Sequence, residues 1–434
     1  MRVYVESIGC RLNQSEIETL ARQFRALGHE LVHEAAEADL CVVNTCAVTG
    51  EAARSSRNLI RRLHRASPQA EIVATGCYAH LAPQRVGALE GVGRVVNNED
   101  KERLVALVTG ADVPAELYER EPLMREFFPG ALGRTRAFVK VQDGCNNRCT
   151  FCVTTLARGR ARSRPQTEIV QEIRALVALG YREVVLTGVN LSSYGHDWKD
   201  RQGLAKLVGA ILAETDVPRL RLSSLEPWNL SAEFFALWEN PRLCRHLHLP
   251  LQSGCDATLR RMARRSSRAE FRALVEAARA RIPDVAISTD IIVGFPGESD
   301  AEFEESYAFA REMDFMKLHV FRYSPREGTV AARLPDRVTV EVAKARSARM
   351  LALSEEGARR YHARFLGREV NVLWEQVSGA SEAGFHNVGL TDTYIRVEMD
   401  APRALTNQIE RVRLVGLTER GMRAVALTER AGAT

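Results

Sequence analysis

The sequence predicts an α/β multidomain protein with an N-terminal doubly wound parallel α/β sheet, a central partial (β/α)6 barrel and a small C-terminal β-barrel. The 434 residues are enough for about three folded units at roughly 150 residues each. Short apolar runs alternate with helical patterns through most of the chain, which is typical of βαβ units. Beyond residue 366 the apolar residues alternate with period two, which indicates antiparallel strands.

Residues 1–112 are predicted to form the parallel sheet. Asn13 and Glu16 have the spacing of a capping box, which predicts a helix start, and Gly28 is placed to end that helix. The apolar runs predict three strands, Val3–Ile8, Leu40–Val43 and Glu71–Ala74, with a helix over Ala53–Arg65.

Residues 113–130 have weak periodicity and three prolines within or beside them, and are predicted to be a linker. The central domain is assigned to 131–366. Four helical segments serve as crossovers: Thr167–Leu179, Leu204–Glu214, Arg268–Arg281 and Glu302–Met313. They connect six predicted parallel strands, Phe138–Val141, Val184–Thr187, Leu220–Ser223, His246–Leu249, Ala286–Val293 and Lys317–Phe321. Six repeats fall short of the eight of a closed barrel, so we expect the barrel to be partial.

The last segment, 367–434, is predicted to be a small antiparallel β-barrel because apolar residues alternate along it between glycine-containing turns. The alternating residues are Val370, Val372, Trp374, Ile395, Val397, Met399, Val412 and Leu414.

Composition excludes several classes of protein. With 45% apolar and 26% charged residues, the chain is neither disordered nor fibrous. Glu6 follows the start too closely for a signal peptide, and no apolar run reaches the ~18 residues of a membrane span, so we expect a cytoplasmic protein with no membrane contact. Nine cysteines are too few for a disulfide scaffold, and a net charge of +5 does not by itself identify a partner.

Three cysteines fall within eight residues: Cys145, Cys149 and Cys152. The spacing C-x3-C-x2-C allows a short loop to bind three corners of an iron–sulfur cubane and leaves its fourth iron open to another ligand. A zinc site and a purely electron-transferring cluster are the alternatives, although both normally require a fourth ligand.

Three further cysteines, Cys10, Cys46 and Cys77, each come just after a predicted strand. Open α/β sheets place their sites beyond the carboxyl ends of the strands, so these thiols are expected to converge. The remaining cysteines, Cys41, Cys244 and Cys255, follow no ligand spacing and are interpreted as structural.

Six segments give the sequence a resemblance to a known family. They are Ile8–Gln14 (IGCRLNQ), Val43–Thr49 (VNTCAVT), Thr75–Ala79 (TGCYA), Gln142–Asn147 (QDGCNN), Leu249–Gly254 (LPLQSG) and Asp290–Glu298 (DIIVGFPGE). Together they resemble the radical S-adenosylmethionine methylthiotransferases. The first three segments are most similar to the branch that acts on N6-threonylcarbamoyladenosine in tRNA.

The resemblance implies a radical-SAM barrel followed by a TRAM-like β-barrel, and two 4Fe-4S clusters. Cys145, Cys149 and Cys152 would hold the radical-generating cluster; Cys10, Cys46 and Cys77 would hold an auxiliary cluster. Two S-adenosylmethionine molecules would be used, one as the radical source and one as the methyl donor. The product would be the 2-methylthio derivative of the nucleoside next to the anticodon. An unactivated aromatic C–H has no acidic proton, so the reactivity must come from a cofactor.

Analogy with radical barrels also indicates contacts to S-adenosylmethionine at the strand ends, namely Thr187, Gly188, Asn190, Ser223, Glu226, Gln252, Ser253 and Gly294. One local departure concerns the run after Cys152. Many relatives resemble Pro-Tyr-Ala-Arg-Gly there, whereas this chain has Thr155 and Leu156 before Ala-Arg-Gly.

Arginines cluster near the cysteines, and such clusters are suited to the phosphates of a tRNA anticodon loop, whose bases are unpaired. The alternative is an ordinary solvated basic face. The candidate RNA contacts are Arg54, Arg57, Arg61, Arg65, Arg158, Arg160, Arg162 and Arg164. An electron donor of the flavodoxin or ferredoxin kind and a sulfur source are the other expected partners.

Two other functions are consistent with the same motifs. One is methylthiolation of isopentenyladenosine in tRNA or of a ribosomal protein. The other, of a different class, is a non-catalytic iron–sulfur protein that binds RNA or carries electrons. A cationic pocket would favour the threonylcarbamoyl substrate, because that substrate carries a carboxylate and the isopentenyl group does not.

Overall fold

A computed structural model of the chain describes residues 1–113, 135–381 and 384–427. The first described range forms a five-stranded parallel sheet of order β2-β1-β3-β4-β5. Its strands are β1 (Arg2–Ser7), β2 (Glu30–Leu31), β3 (Leu40–Thr45), β4 (Glu71–Gly76) and β5 (Val92–Val95). Its helices are α1 (Arg11–Ala26), α2 (Gly50–Ala66), α3 (Cys77–Leu81), α4 (Pro83–Gly87) and α5 (Leu104–Thr109). The predicted parallel α/β sheet is confirmed.

The predicted capping box at Asn13 and Glu16 is wrong. Helix α1 begins at Arg11, so both residues lie inside the helix, and both side chains are buried. The Asn13 amide donates hydrogen bonds to the carbonyls of Ile8 and Thr45, at 2.8 and 3.0 Å. These two polar side chains satisfy buried groups of other elements, which local spacing alone does not reveal.

The central region contains the six predicted parallel strands. They are β6 (Arg136–Lys140), β9 (Glu183–Thr187), β10 (Arg219–Leu222), β11 (His246–His248), β12 (Ala286–Val293) and β13 (Lys317–Arg322), with a two-stranded ribbon of β7 (Gln142–Asp143) and β8 (Arg162–Ser163). Parallel bridges from Leu220 to Leu243 and from Ser224 to His248 join the two three-stranded sheets into one arc. No pairing among the described residues returns from β13 to β6, so the barrel is partial, as predicted.

Helices cover the outside of this arc. They are α7 (Gln166–Ala178), α8 (Gly203–Glu214), α9 (Asp256–Arg261), α10 (Arg268–Arg281), α11 (Asp300–Glu312) and α12 (Val340–Ala363), whereas the short α6 (Thr154–Arg158) packs against α3 of the N-terminal region. Their inner faces bury apolar side chains such as Ile169, Leu207 and Phe271 against the strands. Helix α1 lies beside β6, where the Ser15 hydroxyl donates to the Phe138 carbonyl at 2.9 Å. The edge of the barrel is therefore covered by the N-terminal region.

The C-terminal region is a closed barrel of order β14-β15-β16-β18-β17. Its strands are β14 (Glu369–Ser381), β15 (Gly384–Thr391), β16 (Arg396–Ala401), β17 (Ile409–Leu417) and β18 (Met422–Ala426). Trp374, Val397 and Leu414 are among its buried core residues, so the period-two pattern correctly predicted a small β-barrel. Arg219 and Arg221 of β10 donate to carbonyls of this barrel and attach it to the central region.

The predicted linker, 113–130, lies outside the described residues except for Val113. No helix of the described ranges has the length and apolar character needed to cross a membrane.

Candidate functional site

Cys10, Cys46 and Cys77 lie at the carboxyl ends of three adjacent parallel strands, β1, β3 and β4. Gly9 has a φ of +116°, and a Cβ atom on it would lie 2.8 Å from the Cys46 Sγ, so the first loop closely approaches the second. Burial raises the pKa of the Cys46 thiol to about 11, and the nearby Cys10 and Cys77 thiols add to the shift. The predicted convergence of the three strand ends is present.

Arg158 lies between this set and the second group of cysteines. Its guanidinium donates to Glu16 at 2.7 Å, to Asn13 at 2.8 Å and to Asp143 at 3.1 Å. Lys101 donates to the same Glu16 carboxylate at 2.7 Å. Burial alone would raise the pKa of Glu16, but the two cations hold it well below its ordinary value. A buried ionic network thus joins the first two regions of the chain.

Cys145, Cys149 and Cys152 share the loop between β7 and α6, and each sulfur has a donor directed at it. The Asn147 N–H donates to Cys145 Sγ at 3.4 Å, and the Thr154 N–H donates to Cys152 Sγ at 3.4 Å. Arg264 donates to Cys149 Sγ at 3.8 Å. Burial raises the pKa of Cys149 to about 11, while Arg264 acts in the opposite direction. Such donors favour the thiolate form, which is the form that binds metal.

A cavity of about 1130 Å³ lies inside the barrel arc and is lined by all three regions. Cys10, which is solvent-exposed, and Arg11 come from the N-terminal sheet, His248 and Asp290 from the barrel strands, and Tyr394 from the C-terminal barrel. A second cavity of about 910 Å³ is lined by Cys145, Cys149 and Cys152. Residues of all three regions therefore surround one cavity, and Cys10 of the first set borders it.

Family models and related sequences show to which protein family the chain belongs. Residues 2–106 match the family model described as uncharacterized protein family UPF0004, and residues 139–310 match the radical SAM superfamily. A threonylcarbamoyladenosine tRNA methylthiotransferase, MtaB, of Bacillus subtilis is 35% identical over 95% of this chain and 93% of its own length. The chain belongs to the radical S-adenosylmethionine methylthiotransferase family.

Other members of this family match equally well. A tRNA-2-methylthio-N(6)-dimethylallyladenosine synthase of Acidothermus cellulolyticus is 37% identical over 88% of this chain and 79% of its own length. Among solved structures, the radical S-adenosylmethionine methyltransferase TsrM from Kitasatospora setae has 17% identity, covers 76% of this chain and 77% of its own, and has a TM-score of 0.57. That likeness shows a shared fold.

The family's clusters provide a test of the cysteine geometry. Among the described residues, no three His, Cys, Asp or Glu side chains converge closely enough to hold a single metal ion. A cubane offers a separate iron to each thiolate, so its ligands stand farther apart. Two sets of three free thiols, with N–H and guanidinium donors directed at the second set, have the donor chemistry that such a cluster requires.

The predicted cofactor contacts separate into two groups. Thr187, Gly188 and Ser223 line the larger cavity. The other five, in the described residues, line neither it nor the cysteine-loop cavity. Four of these five make contacts within the protein. Glu226 is ion-paired to Arg264 at 2.7 Å, and the Asn190 N–H donates to Gln142. The Ser253 hydroxyl accepts from the Cys255 N–H, and the Gly294 N–H donates to Glu298. The fifth, Gln252, has a left-handed backbone with a φ of +75°.

The arginines also divide into groups. Arg54, Arg61 and Arg65 are exposed on α2, and Arg160 and Arg162 are exposed beside the cysteine loop. Arg57 is half-buried and donates to the Tyr78 hydroxyl at 3.1 Å. Arg164 donates to Glu172 at 2.8 Å.

Arg158 was predicted to contact RNA, but its side chain is buried within the protein. Its side chain is 3% exposed and its guanidinium is already bonded to Glu16, Asn13 and Asp143. A phosphate could reach it only by displacing buried carboxylates, which is costly. Its conspicuous place in an alternating run of arginines reflects a structural requirement.

Sequence reasoning missed several residues of the larger cavity. Arg11 was passed over although it directly follows Cys10. Tyr394 has no sequence signal; it enters from another domain and stacks on His246 with ring centroids 4.6 Å apart. Ser288 bridges His246 and His248 at 3.0 Å each, and His248 meets Asp290 at 3.3 Å. These polar strand residues were hidden because they belong to runs that otherwise form the barrel core.

Proposed function

We propose that this protein is a tRNA methylthiotransferase that replaces an aromatic C–H of N6-threonylcarbamoyladenosine, next to the anticodon, with a methylthio group. One observation carries the reaction: relatives named as tRNA methylthiotransferases match at 35% identity over 95% and 97% of the chain. Both cysteine sets lie within the two matched family models. The cytoplasm, where tRNA is modified, is the proposed location.

Two 4Fe-4S clusters are proposed, one on Cys10, Cys46 and Cys77 and one on Cys145, Cys149 and Cys152. Three thiolates leave one iron of each cluster open, and the N–H and guanidinium donors directed at the second set fit such a ligand. When bound, clusters and S-adenosylmethionine supply the radical chemistry that breaks an unactivated C–H bond and the methyl and sulfur for its replacement.

The protein's own residues orient and protect this chemistry. Arg158 and Glu16 hold the loop after Cys152 against the helix after Cys10, so the two cysteine sets keep a fixed separation. Thr187 and Ser223 border the cavity, and the Ser223 hydroxyl is buried with no hydrogen-bond partner among the described residues. The barrel strands, the Cys10 loop and the C-terminal barrel each contribute to the cavity wall, so a bound nucleoside would contact all three regions.

The charge of the cavity favours the threonylcarbamoyl substrate over the dimethylallyl one. Five of its lining residues are Arg or Lys: Arg11, Lys317, Arg359, Arg396 and Arg420. Three are acidic. Of these Asp290 is paired with His248, and among the five cations Arg396 is paired with Glu398 at 3.4 Å. Positive charge in the cavity stabilises the carboxylate of the threonylcarbamoyl group, whereas the dimethylallyl group has no charge to which it could bind. Sequence identity does not separate the two substrates, because relatives of both kinds lie between 33% and 37%.

An acidic electron donor of the flavodoxin or ferredoxin kind is also proposed, together with a separate sulfur source. The second cavity opens the Cys145 loop to the surface, and exposed Arg148 and Arg160 line it. Positive charge beside an electron entry point favours docking of a negatively charged protein.

Mass spectrometry of tRNA nucleosides from cells with and without the gene tests the function. Deletion should remove 2-methylthio-N6-threonylcarbamoyladenosine and leave its unmethylthiolated precursor. Complementation with the wild type should restore the product, and complementation with Cys149→Ala should not. Persistence of the product in a deletion strain with no redundant enzyme would refute the substrate assignment.

A further inference from the structure

Arg11 occupies a distinctive position in the larger cavity. It directly follows Cys10, is the first residue of α1, and is half-buried on the cavity wall. Its Nη2 donates to the Tyr394 hydroxyl at 2.9 Å, and its guanidinium lies 5.6 Å from the centre of that ring. Tyr394 therefore fixes the guanidinium beside the Cys10 loop.

Arg11 differs from the neighbouring arginines in its charge partners. Two other arginines also face Tyr394, and each has a carboxylate partner: Arg136 bonds Glu375 at 2.6 Å and Arg221 bonds Glu183 at 2.7 Å. In the described parts of the chain, no carboxylate lies within ion-pair distance of Arg11. Its one side-chain hydrogen bond there goes to the Tyr394 hydroxyl. A half-buried cation with no counter-charge is ready to bind an anion.

We propose that Arg11 binds the carboxylate of the nucleoside's N6 side chain and so selects the threonylcarbamoyl substrate. The inference rests on the proposed function. A guanidinium presents two parallel N–H donors that match a carboxylate. Because Arg11 adjoins Cys10, the same contact would hold the adenine near the first cysteine set.

An RNA phosphate offers the same oxyanion chemistry, so the test must separate the two sources. Three anticodon stem-loops are compared: one with N6-threonylcarbamoyladenosine, one with its threonyl carboxylate converted to the primary amide, and one with plain adenosine. The protein carries both clusters, and binding is measured by fluorescence anisotropy. Variants are Arg11→Gln and Arg11→Lys, with Arg272→Gln as the matched control, since Arg272 is paired to Glu312 on the outer surface.

The wild type should bind the acid more tightly than the amide. Arg11→Gln should weaken binding of the acid by roughly 10- to 100-fold, the usual effect of losing a charge-assisted hydrogen bond, and should abolish the preference for acid over amide. Arg11→Lys should retain part of that preference. Binding of the plain adenosine loop should not change in any variant. Unchanged iron content and circular dichroism would show that the variants are folded.

Two results would overturn the assignment of Arg11. If Arg11→Gln weakens the binding of all three loops equally, Arg11 contacts a phosphate. If Arg11→Gln leaves the preference for acid over amide unchanged, Arg11 does not bind the threonyl carboxylate. Failure of the proposed function is recognised separately. A separate activity assay compares the threonylcarbamoyl loop with an isopentenyladenosine loop. If the proposed function is wrong, the wild type leaves the first loop unconverted and methylthiolates the second, and the role of Arg11 is then refuted as well.

Discussion

The Arg158 guanidinium donates hydrogen bonds to both carboxylate oxygens of Glu16, at 2.7 and 3.2 Å. Arg158 lies six residues after Cys152, and Glu16 lies six residues after Cys10. This buried pair therefore connects the loops that carry the two cysteine sets. Lys101 completes the network from a third segment.

Breaking this pair should destabilise the protein strongly. Arg158→Gln leaves Glu16 with one cation in a buried site, and we expect a loss of about 3–5 kcal/mol in the free energy of unfolding. Urea denaturation of the cluster-free protein measures it. The control is Arg174→Gln, whose partner Glu214 is half-exposed, and which should cost less than about 1 kcal/mol. Equal effects of the two variants would refute the structural role of Arg158.

Stability should fall in acid as Glu183 is protonated. Burial would raise the pKa of this carboxyl, but Arg221, Arg136 and Arg219 lower it to about 2. The pKa of Glu183 is lower in the folded protein than the value of about 4.3 expected in the unfolded chain. The ionised carboxylate therefore contributes its full stabilisation above about pH 4.3, and this contribution is lost as the pH falls toward 2. Glu183→Gln should be less stable at pH 7 and should lose less stability between pH 5 and pH 2. Parallel pH profiles for the two proteins would contradict this account.

Loss of the small residue at Gly9 should remove one cluster. A methyl group there would lie 2.7 Å from the Cys46 Cβ, so Gly9→Ala must separate the Cys10 and Cys46 loops. After reconstitution we expect about four irons per chain in this variant, against about eight in the wild type. Gly28→Ala is the matched control, because Gly28 also has a positive φ but has no atom within 4 Å of the added Cβ. Full iron content in Gly9→Ala would contradict the placement of the first cluster.

Arg264 should set the reduction potential of the second cluster. Its guanidinium lies 3.8 Å from Cys149 Sγ and is 1% exposed. Reduction makes the cluster more negative, and the positive charge of Arg264 stabilises that state. Arg264→Met removes this charge, so the reduction potential should fall by tens of millivolts. A shift of ~59 mV corresponds to a tenfold change in the equilibrium constant of a one-electron reduction. Redox titration followed by electron paramagnetic resonance measures the shift. Arg265→Met, at an exposed neighbour, should leave the potential unchanged; equal shifts would reject a specific role for Arg264.

The strands and the cysteine placement could be predicted because they depend on local pattern. Apolar runs define β1, β3 and β4, and a parallel sheet brings Cys10, Cys46 and Cys77 to one edge without further information. The six barrel strands were found in the same way.

What could not be predicted depends on contacts between distant segments. Asn13 and Glu16 have the spacing of a helix cap, but buried donors from other segments occupy both. Strand β15 was missed because a glycine and two polar residues interrupt its apolar pattern, and β18 because it is short and contains Arg423. Tyr394 reaches the cavity across a domain interface, and no residue near it in sequence indicates that position.

The most direct test of the central claim is mass spectrometry of an anticodon stem-loop incubated with the reconstituted protein. The loop carries N6-threonylcarbamoyladenosine, and the reaction contains S-adenosylmethionine, a reductant and a sulfide source. We predict that one hydrogen of the modified nucleoside is replaced by a methylthio group, and that both Cys10→Ala and Cys149→Ala abolish this product. An unmodified loop in the presence of a full complement of iron and sulfide, or a product that survives either substitution, would contradict it.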